Sequence, residues 1–274
     1  MADAALFQPQ QPSSFLPTPA AVGPWDPQYV HGAAVAALFA GQLAPTDHTL
    51  AQLTIEMLAP VPVALLNFER GELAGGARVQ RQKAALSVEG RTVATAKAVV
   101  VRRGALDLPK EALVHDSPFD PAAVPELVEP NRKAQETVGW ESFDSTSVIV
   151  RQMRVEGDDR THQWISLAVP VVEGTEIRAM EIAVVAADYS QAAVSRMLPF
   201  RSWSFRNAEL TVHLAREPVG SWVGMRCECL VQPVGTGFNA ADLYDANGRM
   251  GRSAATLVVE HRKSRSARSS SRSR

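Results

Sequence analysis

Apolar and polar residues alternate along much of the chain. Leu53, Ile55 and Met57 are separated by Thr54 and Glu56. A strand turns successive side chains to opposite faces, so a period of two predicts strands with one buried and one wet face, as in an antiparallel sheet. Runs of this kind occupy 50–58, 63–73, 77–90 and 92–101, then 208–215, 222–234, 238–248 and 253–262. Turn signals separate them: "EGR" at 89–91 and "NGR" at 247–249, the second containing Asn-Gly, a strong hairpin dipeptide. Two stretches of small residues predict helices, from Gly32 to Leu43 and from Ser190 to Leu198. A further strand is predicted before each helix; the clearest candidates are "HQWISLAVPVV" at 162–172 and "IRAMEIAVVAA" at 177–187.

The pattern repeats. "LTIEMLAPVPV" from Leu53 resembles "LTVHLAREPVG" from Leu210, and "GRTVATAKAVVVRR" from Gly90 resembles "GRMGRSAATLVVEHR" from Gly248. "AAVAAL" from Ala33 faces "AAVSRM" from Ala192. Offsets of 157, 158 and 159 residues, in one order, imply two similar halves. We place these at 1–103 and 131–262, joined by a proline-rich linker at 104–130 and followed by a tail at 263–274. Each half reads as one helix with about five antiparallel strands. Alanines 33, 34, 36 and 37 keep the helix narrow enough for a sheet to close around it. The predicted fold is α+β: two tandem antiparallel sheets, each wrapped around a central helix, a double hotdog.

Composition is that of a globular domain, with 46% hydrophobic and 21% charged residues. The net charge of −1 conceals an acidic body and a basic end. From Arg262 onward the chain holds five Arg and one Lys. Without these six cations, 22 basic residues stand against 29 acidic ones. An acidic body gives no electrostatic case for nucleic acid. The Arg/Ser tail is low-complexity and is expected to be disordered. No signal peptide and no apolar run long enough to span a bilayer is present, so a cytoplasmic protein without stable membrane insertion is expected. Cys227 and Cys229, two apart on a predicted strand, are expected to be free structural thiols.

The stretches "YVHGAAVAALFA", "LTIEMLAPVPV", "AADYSQAAV", "FRNAELTVHLAREPVGSWVG" and "LYDANGRMGRSAATLVVEHR" together resemble the acyl-CoA thioesterase II, or TesB-like, family. The resemblance covers most of residues 20–262. It implies a double-hotdog hydrolase that splits fatty acyl-CoA into free acid and CoA. It also implies a homodimer or higher homo-oligomer, with neither metal nor organic cofactor. It places the family's water-holding Asp at Asp188, just before the second helix, and its hydroxyl or amide at Asn207. The family's Gln on the last strand falls at Ala255, or at Thr256 if the alignment shifts by one. Alanine cannot orient water, so this position is degenerate and the efficiency of hydrolysis is open. A non-catalytic acyl-CoA-binding or scaffold protein of the same fold is the alternative.

The chemistry of a thioesterase fits the residues around "AADYSQAAV". Hydrolysis needs a base beside the attacking water and donors for the developing oxyanion. A helix beginning after Asp188 would offer the backbone amides of Ser190 and Gln191 as those donors. Asp188 also reads as an N-cap, a role that Ser190 could fill. Its counterpart in the first half, at an offset of 159, is Tyr29, which favours one site per chain. His213 reads as a polar residue on a wet strand face. His31, in "VHGAA", resembles the "HG" of hotdog hydratases, but their D-x-N-x-x-H run is missing. Asp158, Asp159 and His162 read as a solvated hairpin tip rather than as metal ligands.

Overall fold

A computed structural model describes residues 5–44, 47–112, 138–153 and 158–262. Among the described residues twelve strands form one sheet: β1 (Phe7–Gln11), β2 (Ser14–Pro17), β3 (His48–Met57), β4 (Leu66–Gly75), β5 (Val79–Val88), β6 (Arg91–Arg102), β7 (Val148–Met153), β8 (Thr161–Leu167), β9 (Trp203–Leu214), β10 (Val223–Val231), β11 (Thr236–Asp245) and β12 (Gly248–His261). Every pairing between them is antiparallel. The helices are α1 (Gly32–Leu43), α2 (Phe143–Thr146), α3 (Ala179–Asp188) and α4 (Ala192–Ser195).

The strand order is β1-β2-β4-β5-β6-β3-β9-β12-β11-β10-β8-β7. Exchanging β1–β6 with β7–β12 reverses this order and reproduces it. The two predicted sheets are therefore one continuous sheet, because β3 and β9 satisfy each other's exposed edges. At this seam Leu53 lies opposite Val212, Thr54 opposite Thr211 and Ile55 opposite Leu210.

Helix α1 has the predicted bounds, and Ala33 to Ala40 are all buried. The second helix corrects the prediction. Residues 177–187 were expected to be a strand, but α3 occupies 179–188, with Met180 to Asp188 buried. The predicted helix Ser190–Leu198 shrinks to a 3-10 turn, Tyr189–Gln191, and the single turn α4. The cause is physical. A helix buried on all sides carries no amphipathic period, and a continuous apolar run does not separate it from a buried strand. The start of α3 is fixed by Glu181, whose carboxylate accepts the Arg178 N–H at 3.0 Å.

Helices α1 and α3 pack side by side and run in opposite directions. Arg178, before α3, donates to the Gly41 and Ala44 carbonyls at the end of α1, at 3.0 and 3.2 Å. A Cβ at Gly41 would stand 2.5 Å from Glu181 Oε1, so glycine permits this close approach. Helix α1 lies against β3 and β5, and α3 against β8 to β12. Most of the linker (113–130) and the whole tail (263–274) fall outside the described residues.

Candidate active site

The antiparallel helix pair brings the start of α1 to the end of α3. Asp188 is thus the last residue of a helix rather than the residue before one. The Ser190 and Gln191 amides follow a helix C-terminus, the negative end of the dipole, which removes the premise that made them oxyanion donors. Tyr29 is not the mirror image of Asp188; it lines the same cavity.

That cavity has a volume of about 600 Å³ and lies beside α1 and the β3–β9 seam. Val35, Ile55, Met57 and Leu210 supply apolar wall, and Asp188, Asn207, His31 and Gly32 supply a polar end. Exposed Arg206, Glu260 and His261 belong to its rim. Gln191 also lines it.

Asp188 and Asn207 meet there. Asn207 Nδ2 donates to Asp188 Oδ1 at 2.7 Å. An ionised carboxylate only accepts, so this contact fixes the amide orientation of Asn207. Its Oδ1 then accepts from Asn239 Nδ2 at 3.3 Å, and Asn239 Oδ1 accepts from the Ser190 hydroxyl at 2.5 Å. The result is a one-way chain of donors, Ser190 to Asn239 to Asn207 to Asp188, in which each bond polarises the next. The Ser190 contribution is its side chain.

Asn239 was not foreseen. It is fully buried on the face of β11 that also carries Ala241 and Leu243. The signal was present in the sequence as a polar residue sharing a predicted strand face with Ala241 and Leu243. Ala255, opposite Asn239 on β12, is buried in the core, whereas Thr256 faces outward, with its hydroxyl 3.5 Å from Glu209 Oε2. Neither position presents a polar group beside Asp188.

Two more groups belong to this end: His31, which the sequence offered only as a hydratase-like His-Gly, and Asp144, which it did not single out. His31 caps α1, and Asp188 Oδ2 lies 3.7 Å from its Nδ1. Asp144, from α2, lies 3.6 Å from His31 Nε2 and accepts the Tyr189 hydroxyl. Burial raises the Asp188 pKa above the usual carboxylate value, with His31 and Asn207 opposing it. Burial also acts to raise Asp144, but His31 and Tyr189 outweigh it and hold that carboxyl low. Tyr189 is pushed well above its ordinary value by burial and by Asp144. His213 is exposed on β9. Asp158 engages Arg160 at 2.7 Å and His162 at 2.9 Å. Both cysteines are free.

Residues 109–259, more than half of the 274, match the family whose description is acyl-CoA thioesterase C-terminal domain. The chain belongs to the acyl-CoA thioesterase family. Asp188, Asn207 and Asn239 all lie in the matched segment. Solved structures show that the fold is the hotdog. A proposed thioesterase II from Thermobifida fusca superposes with a TM-score of 0.70 at 18% identity, covering 96% of each chain. A hot dog fold protein of unknown function from Alicyclobacillus acidocaldarius gives 0.64 at 18% identity, covering 96% of this chain and 97% of its own. The acyl-CoA thioesterase II TesB2 from Mycobacterium marinum gives 0.61 at 10% identity, covering 94% and 95%. No curated protein sequence matches the chain. Among the described residues, no helix is long and apolar enough to cross a membrane.

Proposed function

We propose that this protein hydrolyses fatty acyl-CoA thioesters to free acid and CoA, at one site per chain built around Asp188. The observation that carries it is the buried Asp188 carboxylate, held by Asn207 at 2.7 Å at the polar end of a largely apolar cavity. In this reading residues 1–103 and 131–262 are two hotdog units, each curved around its own helix, α1 or α3.

The acyl chain lies along Val35, Ile55, Met57 and Leu210, where burial of its methylenes supplies binding energy. Water attacks the thioester carbon while Asp188 takes its proton, and Asn207 keeps the carboxylate aimed. The developing oxyanion is held by the start of α1, at the Gly32 amide and the positive end of the dipole. Gly32 supports this placement. A Cβ there would stand 3.5 Å from Asp188 Oδ1 and 3.8 Å from Met57 Cε, within the space that the substrate carbonyl needs. The C–S bond then breaks, and the sulfur leaves as the CoA thiol with the proton from Asp188.

The alternative, an acyl-CoA-binding protein without turnover, draws support from Ala255, which offers no group to orient water. Thiol release from acyl-CoAs of several chain lengths separates the two. Turnover in the wild type that is lost in Asp188→Asn is the expected result. Equal rates in both proteins would remove Asp188 from the chemistry. Tight binding with no turnover in either would favour the alternative.

A further inference from the structure

His31 makes contacts that an N-cap does not require. Its Nδ1 accepts the Ala33 N–H at 3.0 Å, which places the ring hydrogen on Nε2, facing Asp144 Oδ2 at 3.6 Å. That oxygen is buried and takes no hydrogen bond among the described residues. Asp188 Oδ2 approaches Nδ1 to 3.7 Å. Phe143 and Tyr189 pack against the ring, with centroids 4.8 and 5.9 Å away, and the Tyr189 ring is stacked at 15°. The titratable groups facing His31 are therefore Asp144 from α2, Asp188 from α3 and Tyr189 from the turn that follows.

Capping alone needs one acceptor, and Asn, Ser or Asp supplies it at less burial cost. A buried imidazole between two carboxylates does something further. Nδ1 and Asp188 Oδ2 face each other as two acceptors, and one proton between them converts the contact into a bond.

We propose that His31 is a positioning residue for Asp188: the pair shares the proton that the attacking water gives up, and Asp144 holds the ring for that exchange. This rests on the hydrolysis proposed above. The water O–H bond breaks as its oxygen bonds the thioester carbon, and the proton passes to Asp188 Oδ2. From there it crosses to the Nδ1 lone pair, displacing the Ala33 N–H and turning Nδ1 into a donor towards Asp188. When the C–S bond breaks, the proton returns through Asp188 to the sulfur, and His31 is neutral again. Electrostatics favour the exchange. Burial lowers the proton affinity of the ring, but Asp144, assisted by Asp188, outweighs it and leaves His31 above its usual value. Burial raises Asp188 as well, so this carboxylate also takes up a proton more readily than usual.

His31→Asn tests this, because Asn retains the capping acceptor and with it the start of α1. Loss of positioning is expected to lower kcat on the order of 10²-fold. KM should stay within about twofold, since the apolar wall is intact. The acid limb of kcat/KM should move in His31→Asn, because in the wild type it includes protonation of the Nδ1 lone pair, which the variant lacks. Independently of turnover, the NMR titration midpoint of the His31 ring should fall in Asp188→Asn and in Asp144→Asn. An unmoved acid limb in His31→Asn, or an unmoved ring titration in Asp188→Asn, would overturn the proposal. Wild-type turnover in Asp188→Asn would overturn the Asp188 mechanism itself, and the ring titration distinguishes that failure from this one.

Discussion

Thr54 and Thr211 stand opposite each other at the centre of the sheet, their hydroxyl oxygens 2.9 Å apart. They are also repeat mates, 157 residues apart, so the pair marks the pseudo-two-fold axis of the duplicated chain. That axis exchanges α1 with α3. It therefore exchanges the end where Gly32 meets Asp188 with the end where Gly41 meets Arg178. The first end opens into a cavity. At the second, a guanidinium closes on two carbonyls. Among the described residues, the two equivalent helix ends thus differ because the two halves placed different side chains there.

Arg178→Ala should therefore affect stability and not chemistry. It leaves two helix-terminal carbonyls short of donors, at a cost of about 1–3 kcal/mol. The urea midpoint should fall, while kcat at 25 °C stays at the wild-type level. A large loss of kcat would show that the closed end communicates with the open one.

Asn239→Leu should break the donor chain that ends on Asp188. It removes a donor to Asn207 and leaves the Ser190 hydroxyl with the Ala187 carbonyl as its acceptor, costing about 1–3 kcal/mol. Turnover should fall more than KM changes, because Asp188 loses orientation rather than the acyl groove losing area. Steady-state kinetics at constant pH would check the split. Unchanged kcat would remove Asn239 from the site.

Ala255→Gln should not restore a missing catalytic group. Position 255 is 3% exposed and faces the core, opposite Leu210 and Asn239. The larger side chain overpacks this site, at a cost of about 1–3 kcal/mol. A lower melting temperature with no gain in kcat is expected. A gain in kcat would show that the amide reaches the water that Asp188 activates.

Asp188→Asn should stabilise the fold at neutral and higher pH. The folded-state pKa of Asp188 is raised, mainly by burial, so the native state binds its proton more tightly than the unfolded chain does. The stability this group contributes is fully present below its unfolded pKa and is lost as pH rises through the folded one. Asn imitates the protonated acid and does not titrate. The variant should melt above the wild type at pH 8 and converge with it near pH 4. Each 1 kcal/mol should appear as about 2–4 °C for a chain of this size. A constant difference across that range would contradict the burial of a charged carboxylate.

The sequence by itself determined strands β3–β6 and β8–β12, the likeness of the two halves and the first helix, and missed β1, β2 and β7. Alternation at Leu53, Ile55 and Met57, and the Asn-Gly at 247–248, are local signals that survive folding because one strand face stays wet. Resemblance to a family marked Asp188 and Asn207, and the fold brings them to 2.7 Å. Only the tertiary structure decided which apolar run was a helix. Residues 180–187 are all buried in the fold, so no wet face records their period. The direction of α3 was likewise invisible, and it puts Asp188 at a helix end, facing the start of α1. His31, Asp144 and Asn239 lie just before α1, on α2 and on β11, so only the antiparallel helix pair and the register of β9, β12 and β11 gather them near one carboxylate.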